Sequence, residues 1–424
     1  MADGTNALDA RLGAVAADGF ATARADAEAR LRQMGLPGRR DEYWRYTDPA
    51  PFNAPEASPL AIDQNAPDSP LFGDLDTLRI VFVDGRFDAA QSADLAAEGV
   101  EITLLPDAKS DHWATKLYGQ LEADGQRHVP RPFAALNTAT AQDGVLIRVT
   151  GTPARPIHIV HRRETETADV VCHHVIRVEP GAVLTLLETG MAGARSNMLI
   201  EADVAETGAL HYIGAKRAGH QKIGLSQIFA RVAERALFKA FSLSVNGTLM
   251  RHEAVIDIVG DDAVAHIAAA VLGDGQRGPF HHDDTVFITH AAERCESRQV
   301  FKKVLKNGAV GVFQGKILVQ PGAQKTDGYQ ISQALLLDED SQFLAKPELE
   351  IYADDVKCSH GSTTGAIDET ALFYLRSRGV PYDRAVVLLV LSFLADALAE
   401  VEDETLRDQI GDRLEAWLSR RAKA

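Results

Sequence analysis

Four segments of this chain share one register. VEPGAVLTL, VAETGALHY, VAERALFKA and VGDDAVAHI place an alanine at 182, 209, 236 and 263, at successive intervals of 27, 27 and 27 residues. An alternating apolar run precedes each of them: HHVIRV, NMLIEADV, SQIFARV and AVIDIV. A fixed period with strand-turn-strand chemistry is the signature of a solenoid in which every repeat buries its face against the next. A parallel β-helix meets that demand, and the alternative is a β-sandwich whose strands happen to be evenly spaced. Beyond 263 the strict period fails while strand-like runs continue through VGVFQGKILVQPGA and QFLAKPELEIYADDVKC, so the solenoid is expected to continue with insertions.

The two ends differ from this middle. Residues 1–48 open with an Ala-rich, charged stretch that reads as one or two amphipathic helices stopping at Gly35 and Pro37. Residues 49–75 form a linker in which Pro49, Pro51, Pro55, Pro59, Pro67 and Pro70 oppose regular helix and central strand alike. Ordered structure resumes at TLRIVFVDGRFD, where Asp84-Gly85 is a hairpin signal, and the β core is expected over 76–367. From 368 to 424 the pattern is helical: Asp368 is an N-cap, Gly379 and Pro381 mark a stop, and AVVLLVLSFLA is apolar almost all round. Leu406, Ile410, Leu414 and Leu418 then make one stripe with Trp417 beside it.

Several function classes are disfavoured by composition. A net charge of -16 argues against nucleic acid as the main ligand. AVVLLVLSFLA is too short to span a bilayer and the first residues carry no secretory pattern, which points to no membrane partner and to the cytoplasm. The three cysteines, Cys172, Cys295 and Cys358, lack any C-x-x-C spacing and suit a reducing compartment. Neither G-x-x-x-x-G-K-[ST] nor G-x-S-x-G occurs, so no nucleotide is expected to bind this chain and any nucleotide-driven work falls to a partner.

The chemistry concentrates in DVKCSHGSTTG, residues 355–365. Residues i and i+2 share a face only in an extended strand, so Cys358 and His360 can cooperate if this stretch is a strand end. Lys357 and a protonated His360 could then lower the pKa of the Cys358 thiol, giving a nucleophile or a soft-metal ligand, although an ordinary buried cysteine fits as well. Two donors are too few for a closed metal site, so the rest would come from elsewhere or from another chain. His281, His282, Asp283 and Asp284 in GPFHHDDTVF are a second group, read as a solvated loop ahead of a strand, with His290 downstream. Cys172, His173 and His174 alternate within a strand and suit structural roles, as outward solvation suits Gln314, Lys316, Gln324 and Lys325.

SRQVFK, GVFQGKILVQPGAQKTDGYQ, KPELEIYADDVKCSHGSTTG and ALFYLRSRGVP together resemble the SufB/SufD family of iron-sulfur cluster assembly proteins, and EYWRYTDP resembles that family's W-[KR]-Y-T element. The chain resembles the SufD branch in length and in its few cysteines. The resemblance implies a right-handed parallel β-helix between helical N- and C-terminal domains, working as a non-catalytic scaffold. It further implies a complex with a SufB-like paralogue and a SufC-like ATPase, and a transient iron-sulfur cluster at the interface of the two β-helices. His360 is the implied contributor to that site, with Cys358 in the same motif. The ATPase would dock near Phe373, Leu375, Arg376, Arg378 and Pro381 and on the helices after them. In isolation the partner would be a second copy of the chain, as a homodimer. The alternatives are a SufB-like subunit that accepts sulfur and a free-standing β-helix enzyme with a Cys358 nucleophile and His360 as base.

Overall fold

The computed structural model describes residues 2–13, 19–62, 71–217 and 221–421. Consecutive strands of the core go alternately to a ten-stranded and a nine-stranded sheet, and strands two apart in sequence pair in parallel within each sheet. This is a parallel β-helix and not a sandwich, whose neighbouring strands would run antiparallel. Among the described residues, antiparallel pairing occurs at the N-terminal edge of the coil. Leu78–Val83 turns back through Asp84 and Gly85 onto Arg86–Phe87, and Val100–Leu104 closes the other sheet.

The period has a local cause at one turn of the coil. A column of small residues runs along it, with Leu237 N–H bonding to Gly208 O at 2.9 Å, Val264 N–H to Ala236 O at 3.0 Å and Glu296 N–H to Ala263 O at 3.0 Å. The column is Gly151, Ala182, Gly208, Ala236, Ala263, Cys295 and Thr326, so the central intervals are 26, 28 and 27 and the later ones 32 and 31. Ala209 therefore lies one residue past the column and Gly208 holds its place. A Cβ on Gly208 would sit 3.0 Å from Ala205 O and 3.1 Å from Val178 Cγ1, tighter than nearly all real contacts. The residue before each column position after Gly151 is left-handed: Gly181, Thr207, Arg235, Asp262, Arg294 and Lys325 have φ between 53 and 74. Each non-glycine there costs about 1–2 kcal/mol of backbone strain. A second ladder offsets it, for Thr207, Arg235, Asp262 and Arg294 each donate N–H to a carbonyl of the next turn at 2.8–3.0 Å.

Alternation along the strands sends one set of side chains into the coil. Ile157, Leu186, Tyr212, Ala240 and Ile267 stack there in register, then give way to Gln299, Gln330 and His360. This column thus changes from apolar to polar toward the C-terminal end of the coil.

Helices cover the outer faces. Ala2–Leu12, Ala21–Met34 and Pro132–Thr140 pack at the N-terminal end with Trp44, Phe52 and Leu225. Ala50–Asn53 makes one helical turn between Pro49 and Ala54, with Pro51 in the first-turn position where a missing N–H costs nothing. The Arg195 guanidinium holds that turn, donating to Pro51 O at 3.1 Å and Ala54 O at 2.6 Å. Pro67 and Pro70, like residues 14–18 of the expected N-terminal helices, lie outside the described residues.

At the other end Asp368 caps Glu369–Ser377, its carboxylate accepting the N–H groups of Thr370 at 2.8 Å and Ala371 at 3.1 Å. Tyr382–Leu398 buries Val390 and Leu394 against Leu243, Val300 and Val304 of the ten-stranded sheet, while Glu404–Arg421 adds the stripe of Leu406, Ile410 and Leu414. A helix apolar all round is accounted for by covers on two sides. Among the described residues no helix is long and apolar enough to cross a membrane.

Burial makes three histidines resist protonation: His158, His281 and His290 are each lowered to about 4 from 6.5. The unfolded chain binds these protons first, so their contribution is intact above pH 6.5 and is lost as pH falls toward 4. Stability should drop by up to about 4 kcal/mol per pH unit in that window. Urea midpoints measured across it check the slope, and a flat profile would mean that these imidazoles are solvated.

Candidate functional site

Lys357–Gly365 is the last strand of the ten-stranded sheet, and it is extended, as the i, i+2 pairing of Cys358 and His360 requires. Its register sets Cys358 beside Gly328 and His360 beside Gln330. Both side chains therefore fall on the alternation that faces the coil interior, but at a turn with no further turn over it. Among residues 342–365 Ala353 alone is buried, whereas the turn before is largely covered. Below His360, Gln330 Nε2 donates to Gln299 Oε1 at 2.8 Å, with both residues fully buried. His360 itself is exposed.

The two donors differ chemically. Cys358 is half-buried against Ile317, Leu349 and Val356, and its Sγ lies 3.2 Å from where a Cβ on Gly328 would stand, so glycine in the preceding turn makes room for the sulfur. Burial pushes this thiol up, the Gly328 N–H pulls the other way and the Asp327 carboxylate adds to the rise. The expected lowering by Lys357 and His360 is not found, because Lys357 is the adjacent residue and alternation sends it to the opposite face. A raised thiol is a poor nucleophile at neutral pH. To bind a metal it must surrender its proton, which a neutral imidazole need not do.

GPFHHDDTVF is not a solvated loop. His281–His290 is a central strand, and its four polar residues divide between two faces. His282 and Asp284 point inward, where Lys303 Nζ bonds to the Asp284 carboxylate and stands 3.2 Å from His282 Nδ1. His281 and Asp283 point outward beneath EYWRYT: Thr47 Oγ1 donates to Asp283 at 2.5 Å and lies 2.9 Å from His281 Nε2. Arg251 bonds to Asp283, donates to Tyr43 O at 2.9 Å and stacks 4.1 Å from the Trp44 ring. The tryptophan-tyrosine element is thus a strap pinned on the nine-stranded sheet. Gln314 is buried in the same cluster, contrary to the solvated role expected for it, with its amide 3.2 Å from Tyr43 O. Lys316 is ion-paired with Glu350, and Lys325 with Asp355 at the exposed turn.

The other cysteines are structural. Cys295 takes the small-residue place in the turn column, its Sγ 3.2 Å from Gly260 O. Cys172 is fully buried and its thiol is pushed far up by burial.

The C-terminal helices carry an exposed aromatic patch. Glu369–Ser377 buries Leu372, half-buries Leu375 and leaves Phe373 73 % exposed, with Tyr374 at 56 % and Tyr382 at 52 % beside it. Arg378 stacks 4.9 Å from Tyr374 and Arg376 5.7 Å from Tyr382, while Pro381 caps the next helix. Tyr374 and Tyr382 were not among the sequence candidates, although both stand within or beside ALFYLRSRGVP.

Two family models match the chain. One, described as SUF system FeS cluster assembly, SufBD core domain, covers residues 161–393, and the other, the SufBD protein N-terminal region, covers 9–154. The iron-sulfur cluster assembly protein SufD of Escherichia coli is 29% identical over 91% of this chain and 90% of its own length. A SufBD family protein of Synechocystis is 25% identical over 90% of this chain and 87% of its own. SufD of Bacillus subtilis is 25% identical over 75% of this chain and 74% of its own.

Proposed function

The chain belongs to the SufBD family of the SUF iron-sulfur cluster assembly system, and from that premise we propose that it is a SufD-like scaffold subunit. It works in the cytoplasm beside a SufB-like paralogue and a SufC-like ATPase. The observation that carries this reading is the uncapped last turn of the coil, with His360 and Cys358 side by side on its inward alternation. An open sheet end with unpaired backbone groups needs a cover. A second β-helix laid against it would bring its own ligands to the two donors. The nascent cluster is then cargo held between chains: His360 supplies a neutral nitrogen to iron, and Cys358 joins only with loss of its proton. In the paralogue's absence a second copy of this chain can take the same edge.

A sulfur-accepting SufB-like role or a cysteine-nucleophile enzyme would need an accessible, low-pKa thiol. Cys172 and Cys295 are buried, and burial pushes Cys358 up. The shared-site reading is tested by supplying iron and sulfide to the isolated chain and to the co-purified three-protein complex. A visible cluster spectrum is expected from the complex, with little or none from the chain alone.

ATP hydrolysis belongs to the ATPase, which docks on Phe373, Leu375, Arg376, Arg378 and Pro381, with Tyr374 and Tyr382 extending the patch. Aromatic and arginine side chains are the usual anchors of such surfaces. Deleting residues 369–424 would also strip the cover from Val300 and Val304, so point variants are the cleaner probe. Phe373→Ala with Arg378→Glu should weaken ATPase co-purification at least roughly 30-fold, about 2 kcal/mol, while the melting temperature stays unchanged. Undiminished co-purification would count against this surface.

A further inference from the structure

The N-terminal half of the coil interior holds a second group of donors that the cluster site does not use. His161 lies on Ile157–Arg162, His174 on Asp169–Val178 and Glu188 on Val183–Gly190. Ligand atoms of the three lie within 4.8 Å of one another, and all three residues are buried. Two sheets contribute, since His161 and Glu188 stand on neighbouring strands of one and His174 on the other. Strand register explains the convergence: the Cα partner of His161 is Gly190, which has no side chain, so the imidazole leans diagonally onto Glu188.

His161 Nε2 is 2.9 Å from Glu188 Oε1, and the Tyr212 hydroxyl donates to the other carboxylate oxygen. That hydroxyl orients the carboxylate as outer hydrogen bonds orient metal ligands. The Nδ1 of His161 is buried without a hydrogen-bond partner among the described residues. The Phe82 ring stands 5.8 Å from His161 and 5.7 Å from His174, giving a dry wall. A cavity of about 10 Å³ adjoins His161 and Glu188 on the side away from His174 and is lined also by Ser196, Met198 and Lys222, so the room for the ion is what the three donors themselves enclose.

We propose that His161, His174 and Glu188 hold a single divalent first-row transition-metal ion, Fe²⁺ or Zn²⁺, inside the coil. Two imidazoles with one carboxylate suit these ions, whereas Mg²⁺ and Ca²⁺ prefer sets of oxygen ligands. Any hydrogen that a ligand nitrogen carries leaves to solvent when that nitrogen takes the ion. Seven strand steps separate this site from His360, roughly 34 Å at the spacing of neighbouring strands. The two sites therefore stand or fall separately, and this one goes beyond the proposed scaffold function.

The test uses the full chain carrying Cys358→Ser and His360→Ala, so that binding at the coil end cannot contribute. Anaerobic titration with Co²⁺ should show the visible absorption of an ion bound by nitrogen and oxygen, saturating near one ion per chain. Fe²⁺ and Zn²⁺ should each displace it, Zn²⁺ at the lower concentration. Glu188→Gln should weaken Co²⁺ binding more than about 10-fold, and Tyr212→Phe, which keeps all three ligands, by about 10- to 100-fold. The Tyr212 variant decides the matter if the Glu188 variant does not fold. Absence of Co²⁺ absorption, displacement by Mg²⁺ or Ca²⁺, or unchanged binding in Tyr212→Phe would overturn the proposal.

Discussion

Asp283→Ala should lower stability by about 3–5 kcal/mol, the usual cost of stranding one partner of a buried ion pair. Four buried charges meet under the strap: Arg131, Arg251, Glu253 and Asp283, with exposures of 4, 1, 4 and 0 %. Arg131 bonds to Glu253 at 3.0 Å and Arg251 to Glu253 at 2.6 Å, while Arg251 also holds Asp283. Removing Asp283 leaves one positive charge in excess in a dry place. It also removes the acceptor that the Thr47 hydroxyl uses at 2.5 Å. Asp283→Asn keeps an acceptor without the charge and should cost less. Urea unfolding followed through tryptophan fluorescence reports the loss, because Trp44 stacks on Arg251. A change below about 1 kcal/mol in Asp283→Ala would mean that water already reaches the cluster.

A second large effect is expected inside the coil. Lys303 and Asp284 are both fully buried and bonded to each other. Burial works to raise the Asp284 carboxyl, yet the Lys303 ammonium and His282 hold it far below its ordinary value. Lys303→Met strands a buried carboxylate, and about 3–5 kcal/mol should be lost. Replacing both partners leaves no stranded charge, so Lys303→Met with Asp284→Leu should recover most of it, to within roughly 2 kcal/mol of the parent. A double variant no better than the single one would show that the pair is not coupled.

The coil was legible because its turn demands a small residue once per repeat, and alanine meets that demand at 182, 236 and 263. The register at 209 was one residue off, since Gly208 meets the same demand and an alanine happens to follow it. The left-handed residues at 207, 235, 262, 294 and 325 gave no warning, being threonine, arginine, aspartate, arginine and lysine where glycine or asparagine is the recognisable choice. GPFHHDDTVF looked solvated because four polar residues in a row usually are. Their partners, Thr47, Arg251 and Lys303, come from other parts of the chain and become visible only once the coil is wound.

The site divides in the same way. That Cys358 and His360 share a face followed from spacing two residues apart, and the strand confirms it. The direction of the thiol's shift depended on Ile317 and Asp327, which local sequence does not reveal. Asp368 as a cap and the stripe of Leu406, Ile410 and Leu414 were readable because caps and helical faces are local. What the helix after Asp368 exposes was less so, since Phe373, Tyr374 and Tyr382 look like core residues until their neighbours are known.

One measurement tests the shared half-site most directly. The chain is co-expressed with its SufB-like and SufC-like partners as parent, His360→Ala and Cys358→Ala, and the purified complexes receive iron and sulfide without oxygen. Because His360 is exposed at the open turn while the Cys358 thiol is half-buried and raised, His360→Ala should lose most of the cluster absorption and Cys358→Ala much less. A complex carrying His360→Ala that assembles cluster at the parent's full strength would contradict the account.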